Sequence, residues 1–313
     1  MKAETSDFQL GRLLRLVAGI ALIVLLVQFA LEGGAAELVR QLSRIQWWEW
    51  LLLCGLSILV YLSLSRVFQT SILVIKVRMS FLDAFDYSAM NNFFNTILPM
   101  KGGLWVRGMY LKKRFDISWA RYLFVMASGQ VIQLALLGAI AVGFYLVGRL
   151  PLFLPTMPRT PEFIVVVAVV VLIIVVAVVR LETVAAFANR GIRGLKLWIE
   201  DPLLLARYLL ETLVFHGLTA LRIWLAFVFV GVTMTPTEMC VLYAALAAGL
   251  SWAVTPGNIG VKEAAIVLLA AMLGVDTDAA IAASIIDTLA ALLVTITVGG
   301  WSAYRVSSPK AAT

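Results

Sequence analysis

The sequence predicts an all-α, polytopic integral membrane protein, and three observations predict it. The chain is 62% hydrophobic and 14% charged, with a mean hydropathy of +0.98, whereas ordinary soluble domains carry about 25% charge. Uncharged runs recur along it: Val17–Leu31, Trp50–Ser65, Tyr122–Gly148, Phe163–Val179, Met239–Val261 and Thr288–Tyr304. With their flanks, several reach the roughly 17–25 apolar residues that a spanning helix needs. Finally, two apolar stretches are broken in the same way, by Pro99-Met-Lys-Gly-Gly103 and by Pro256-Gly-Asn-Ile-Gly260.

Taken in order, six full spans are expected near Leu13–Leu31, Trp48–Ser65, Trp119–Val147, Phe163–Val179, Thr212–Val232 and Ala279–Tyr304. The first exceeds the ~7–15-residue apolar region of a signal peptide and is read as a retained helix, although Ala35-Ala36 imitates a small-residue cleavage site. Between spans two and three lies a broken pair, Asp83–Leu98 then Leu104–Phe115. Between spans five and six lies the other, Thr237–Val254 then Val261–Leu273. Pro and Gly free backbone groups that lipid cannot satisfy, so each break must be buried in protein or face water, and both pairs are expected to be re-entrant. The whole of 1–313 forms one membrane domain.

Charge orients this layout. With a cytoplasmic N-terminus, the basic residues Arg66, Lys76 and Arg78, the Lys112-Lys-Arg114 cluster, the Arg180–Arg207 loop and the tail with Arg305 and Lys310 all fall on the cytoplasmic side. The opposite face receives Arg40, Arg44, Arg149 and Arg159 as its basic residues. That bias follows the positive-inside rule and implies a bacterial-type inner membrane with both termini cytoplasmic. Each broken pair returns the chain to its starting face, so the segment 83–148 begins inside and 237–304 begins outside. The two are therefore expected to form an inverted repeat, the arrangement that places a substrate path at paired helix breaks.

Chemistry-bearing motifs are few. There is one histidine, the two cysteines Cys54 and Cys240 lie in separate apolar stretches, and neither a Gly-x-Ser-x-Gly elbow nor a phosphate-cradling loop is present. No cofactor or metal is implied. What remains are polar groups at membrane depth, which are costly and so are candidate functional residues. Lys101 and Arg107 flank the first break, and Lys262-Glu263 follow the second. Each return helix starts after a glycine, Gly103 or Gly260, and its unpaired N–H groups would offer an anionic headgroup a binding end. The alternative is that Lys101 and Arg107 snorkel to the headgroups. Asn91 and Asn92 share a helix face with Asn95, as groove lining or as interhelical glue. Arg222 in the fifth span needs a carboxylate, with Asp287 or Glu263 as candidates, for gating, coupling or a static ion pair. His216 reads as a hydrogen-bonded or interfacial residue. The tryptophans 47, 48 and 50 mark an interface, and the basic loop with Arg190, Arg193 and Lys196 reads as an amphipathic surface helix. Membrane anchoring, not nucleic acid, accounts for the net charge of +7.

Asn95-Thr-Ile-Leu-Pro99 with Gly103 and Arg107 resembles the first signature of the lysylphosphatidylglycerol synthase transmembrane-region family. Thr255-Pro-Gly-Asn-Ile-Gly-Val-Lys-Glu263, with Gly274-Val275, resembles its second, and the resemblance runs from the first span to about Gly300. It implies the flippase-like half of the multiple peptide resistance factor, which moves aminoacylated lipids between leaflets. Free-standing relatives occur near hopanoid, isoprenoid-lipid and surface-polysaccharide pathways. Two departures matter: Leu104 stands where the family often has Glu, and the helices after the breaks carry Ser128-Gly129-Gln130 and Asp287 in place of Arg or an acidic-Arg pair. The resemblance therefore implies no headgroup preference, and lysyl transfer is not expected of these 313 residues.

The leading expectation is translocation of an anionic lipid or lipid-linked intermediate. Its headgroup would be met by Asn91, Asn92, Asn95, Pro99, Lys101, Gly103, Arg107, Pro256, Gly260, Lys262 and Glu263, with Arg222 and Asp287 gating or coupling. An accessory subunit that recruits a lipid-modifying enzyme is the alternative. A membrane enzyme acting on a lipid-linked sugar is the weaker one.

Overall fold

The structure, a computed structural model, describes residues 40, 43–98, 101–146, 194–249 and 255–308, with the backbone alone at 141–146 and 248–249. The expected spans Leu13–Leu31 and Phe163–Val179, together with Pro99, Arg190 and Arg193, lie outside the described residues.

The described chain is helical: α1 (Trp47–Leu73), α2 (Phe81–Ile97), α3 (Gly102–Phe115), α4 (Trp119–Leu146), α5 (Pro202–Phe229), α6 (Pro236–Gly249), α7 (Val261–Met272), α8 (Thr277–Val294) and α9 (Gly300–Ser307). Among the described residues, four helices are long and apolar enough to cross a membrane: Trp47–Leu73, Trp119–Ile140, Pro202–Phe229 and Thr277–Ser307. The last is continuous from α8 to α9 through a π-turn at Thr295–Gly299.

Helix starts follow local chemistry. The first N–H groups of a helix lack intrahelical acceptors, and side chains supply them. Ser80 Oγ accepts from the Asp83 N–H at the head of α2, Asp201 Oδ1 from Leu204 at α5, and Asp276 Oδ1 from Ala279 at α8. Thr235 and Glu238 cap each other's N–H groups at α6. The Asp201 cap, with Pro202 in the first turn, starts α5 ten residues before the Thr212 expected from the apolar run. Arg207 and Glu211, the charges that truncated that expectation, pair at 2.9 Å on the helix surface.

Two clusters of buried apolar side chains share α1. One joins it to α5–α8 through Leu53, Ile223, Phe227, Leu242, Ile266 and Ile286. The other joins it to α2–α4 through Phe68, Ile72, Met90, Leu111 and Tyr122. Small residues such as Ala280, Ala283 and Ala290 let the helix backbones approach, which matters in lipid because close packing replaces hydrophobic exclusion. Between the two halves, α6 packs on α4, and α2 packs on the π-turn and α9. Tyr61 and Thr295 hydroxyls meet at 2.7 Å there, and Ser302 donates to Asp86 at 2.9 Å.

Only the end of the basic loop is described. Residues 194–199 are helical, and Trp198 is fully buried, its indole N–H donating to Ser128 Oγ on α4 at 3.0 Å and its ring 4.4 Å from that of Tyr208 on α5. This stretch docks against the helix bundle through its buried face; Lys196 alone of the cited basic residues is described, and it is exposed.

Candidate functional site: two helix breaks side by side

Both breaks fall where Pro and Gly were expected to stop the helices. The first lies between the end of α2 at Ile97 and the start of α3 at Gly102, with Lys101 in the left-handed backbone region (φ 54°). The second is a single 3-10 turn, Pro256–Asn258, followed by Gly260 at φ 84° ahead of α7. That turn packs on α2, with Gly257 against the Thr96 backbone, so the two breaks are neighbours.

At the first break Gly103 meets the side chain of Asn95 and the backbone of Asn91. Asn95 Oδ1 accepts the Gly103 N–H at 2.9 Å. The Asn91 carbonyl lies so close that a Cβ on residue 103 would stand 1.9 Å from its oxygen. Asn91 also donates to Asn92 Oδ1 at 3.4 Å. Asn95→Ala removes the cap from a helix end that water reaches poorly, and a loss of about 1 kcal/mol in thermal unfolding is expected, with Asn95→Asp retaining most of it.

Arg107 lies on α3 within the protein, 7% exposed, which excludes the snorkelling alternative for it. Its Nε donates to Tyr122 Oη at 2.9 Å, and its guanidinium carbon sits 4.2 Å over the Phe68 ring. Tyr122 in turn donates to the Leu104 carbonyl. The aromatic faces stabilise the cation, yet among the described residues Arg107 has no ion-pair partner.

The second break is built differently. The Gly260 N–H donates to the Glu263 carboxylate. Thr288 donates to the other oxygen of Glu263, and Lys262 donates to Thr288 and to Asp287. Arg222 holds Asp287 in a fork, Nε to Oδ1 at 2.7 Å and Nη2 to Oδ2 at 3.3 Å, and donates through Nη1 to Ser57 at 3.0 Å. One hydrogen-bonded chain therefore runs from α1 through α5 and α8 to the head of α7. Asp287, fully buried, sits at its centre between two cations. Two positive and two negative side chains cancel within it.

At the heads of α3 and α7, the Gly103 and Gly260 N–H groups are taken by Asn95 and Glu263. These contacts decide between the two carboxylates considered for Arg222. Of the two carboxylates considered for Arg222, Asp287 is its partner, with Lys262 as the second cation. His216 is hydrogen-bonded to Tyr243 at 2.7 Å. The arrangement also recruits residues that the sequence did not single out: Ser57, Thr288, Phe68 and Tyr122.

Read chemically, the breaks place a neutral cross-linked network beside a buried, aromatic-lined guanidinium. A family model described as the lysylphosphatidylglycerol synthase transmembrane region matches residues 16–299. No curated protein and no solved structure matches the chain significantly. The family match spans both breaks and all four apolar helices nearly in full. This multi-pass membrane protein belongs to the lysylphosphatidylglycerol synthase transmembrane-region family, whose role lies in lipid modification or translocation.

Proposed function

We propose that the chain translocates an anionic lipid, or a lipid-linked intermediate with an anionic headgroup, between leaflets, and that the headgroup is held at the first break. The observation that carries this reading is the charge difference between the breaks. At the second, Arg222 and Lys262 are neutralised by Asp287 and Glu263. At the first, Arg107 is buried with an aromatic cradle and without a carboxylate among the described residues. A desolvated guanidinium with open donors favours a phosphate, which it can grip bidentately. The lipid chains would stay in the bilayer.

We read α2–α4 and α6–α9 as the inverted repeat that frames this path. Its support is the exchange of contacts: the first leg of each half leans on the long helix of the other, and the second break lies on the first leg of the other half. In this reading the Arg222–Asp287–Lys262 network holds the second break while the first accepts the headgroup. The positive-inside pattern supports cytoplasmic termini.

Leaflet exchange in proteoliposomes tests this, with labelled phosphatidylglycerol and a labelled polyprenyl phosphate as probes. Wild type is expected to exchange at least one of them, and Arg107→Gln to slow that exchange roughly tenfold or more, the value of a charge-assisted hydrogen bond. Glu263→Gln, which keeps an oxygen to cap Gly260, removes the charge without the cap. Wild-type exchange that survives in Arg107→Gln would sink the assignment of the headgroup to this break. No exchange by wild type would sink the translocator reading and leave that of an accessory subunit for a lipid-modifying enzyme.

A further inference from the structure

Away from the breaks, the end of α1, the link 74–80 and the start of α5 enclose a cleft of about 360 Å³, within the ~300–1,000 Å³ typical of small-ligand sites. Three of its lining residues are arginines: Arg66, Arg78 and Arg207. The cleft is built and held by specific contacts. Gln69 donates to the Met79 carbonyl at 2.8 Å, fixing the link against α1, and its other amide atom accepts from Arg66 at 3.2 Å. The Arg66 guanidinium also lies 4.3 Å over the Phe81 ring. Beside the cleft, Glu211 takes one hydrogen bond from Arg207 at 2.9 Å and another from Thr70 at 2.6 Å, which ties α5 to α1. Arg78 makes no hydrogen bond or ion pair among the described residues. The three arginines are the charged residues of the lining, and of them Arg207 is ion-paired, with Glu211, which leaves two positive charges without a counter-charge among the described residues.

Position narrows the ligand. The 27 residues of α1 span about 39 Å at 1.5 Å each, more than the ~30 Å hydrocarbon core of a bilayer. With the exposed Trp47 and Trp48 at one interface, the cleft at the other end of α1 lies at headgroup level of the opposite leaflet, the cytoplasmic one in the orientation proposed above. We infer that this cleft is a second anion site, which binds a phosphate group at the membrane surface through Arg66, Arg78 and Arg207. The phosphate can be that of a lipid headgroup or of a soluble phosphate compound; the recognition chemistry is the same.

The inference stands apart from the headgroup site at the first break, and its test is made so that either can fail alone. Full-length protein carrying Arg107→Gln is purified in detergent, and native mass spectrometry follows binding of phosphatidylglycerol, inorganic phosphate and, as a chargeless comparison, diacylglycerol. In that background, phosphatidylglycerol or inorganic phosphate is expected to bind, and Arg78→Gln with Arg207→Gln to weaken it roughly tenfold. Arg78→Gln alone, which breaks no hydrogen bond or ion pair among the described residues, is expected to give part of that loss without changing thermal unfolding. Arg121→Gln, an exposed cation on α4, is expected to change nothing. Loss confined to phosphatidylglycerol identifies a lipid site, and loss of inorganic phosphate binding identifies a soluble phosphate site. Equal binding by parent and variants, or diacylglycerol bound as well as phosphatidylglycerol, would overturn the inference.

Discussion

Asp287→Ala is expected to lower stability by about 3–5 kcal/mol, the cost of removing one partner from a buried ion network and stranding the others. Arg222 and Lys262 both depend on this one carboxylate, and no water-filled surface is at hand to take over from it, since Asp287 is fully buried. The measurement is thermal or denaturant unfolding of the purified protein in detergent. Joint replacement by Arg222→Met, Lys262→Met, Asp287→Leu and Glu263→Gln removes both cations and both carboxylates together. Neutral replacement of a whole buried ion network is commonly neutral or stabilising, so this fourfold variant is expected to recover most of the loss. Leaflet exchange by that stable variant then separates two roles: a purely structural network leaves exchange intact, and a network that must open and close during transport does not. A single variant that unfolds at the wild-type midpoint would show that the ions are not buried as described.

Gly103→Ala is expected to cost about 3 kcal/mol or more, at or beyond the upper end of ordinary overpacking. The added methyl would stand 1.9 Å from the Asn91 carbonyl oxygen and 2.8 Å from Asn95 Oδ1. The first obstacle is backbone, so no rotamer change relieves it, and α3 must move off α2. That movement pulls Gly103 from its Asn95 cap and displaces Arg107, one turn further along α3. Loss of the monodisperse peak in size-exclusion chromatography would report it. Gly138→Ala on α4, where a Cβ meets nothing within 4 Å, is the matched comparison and should cost nothing, because Ala favours a helix over Gly.

Much of this arrangement was legible in the sequence, for identifiable reasons. Pro and Gly inside apolar stretches act through covalent geometry, so both breaks, and the helices on either side, fell within a few residues of where they were expected. The Asn91–Asn95 face followed from helical spacing alone. Pairing across the bundle did not, because sequence carries no information on how far each helix is rotated about its axis. Arg222 and Asp287 are 65 residues apart, and the choice between Asp287 and Glu263 turned on that rotation. Ser57 and Thr288 were invisible for another reason: hydroxyls are common in membrane helices, where most bond to their own backbone, as Ser57 also does to Leu53. The caps on Gly103 and Gly260 were not legible either, since one acceptor, Asn95, lies eight residues back across the break.

The π-turn at Thr295–Gly299 sets the phase of the last helix. Widening the coil for one turn delays everything beyond it by about a quarter of a revolution relative to a regular α-helical path. Asp287, before the turn, is aimed at α5 and α7, while Ser302 and Arg305, after it, reach Asp86 on α2 at 2.9 Å and 3.5 Å. Gly299, pressed against the Ala89 carbonyl, permits the contact at the turn itself. One continuous rod thus keys into both halves of the molecule at two different angular settings. Any motion that converted the wide turn to a regular one would swing the Asp86 contacts out of register while leaving the Arg222 fork in place. The last helix thereby ties the second break, through Asp287, to the first half of α2, through Asp86, with the change of phase confined to five residues.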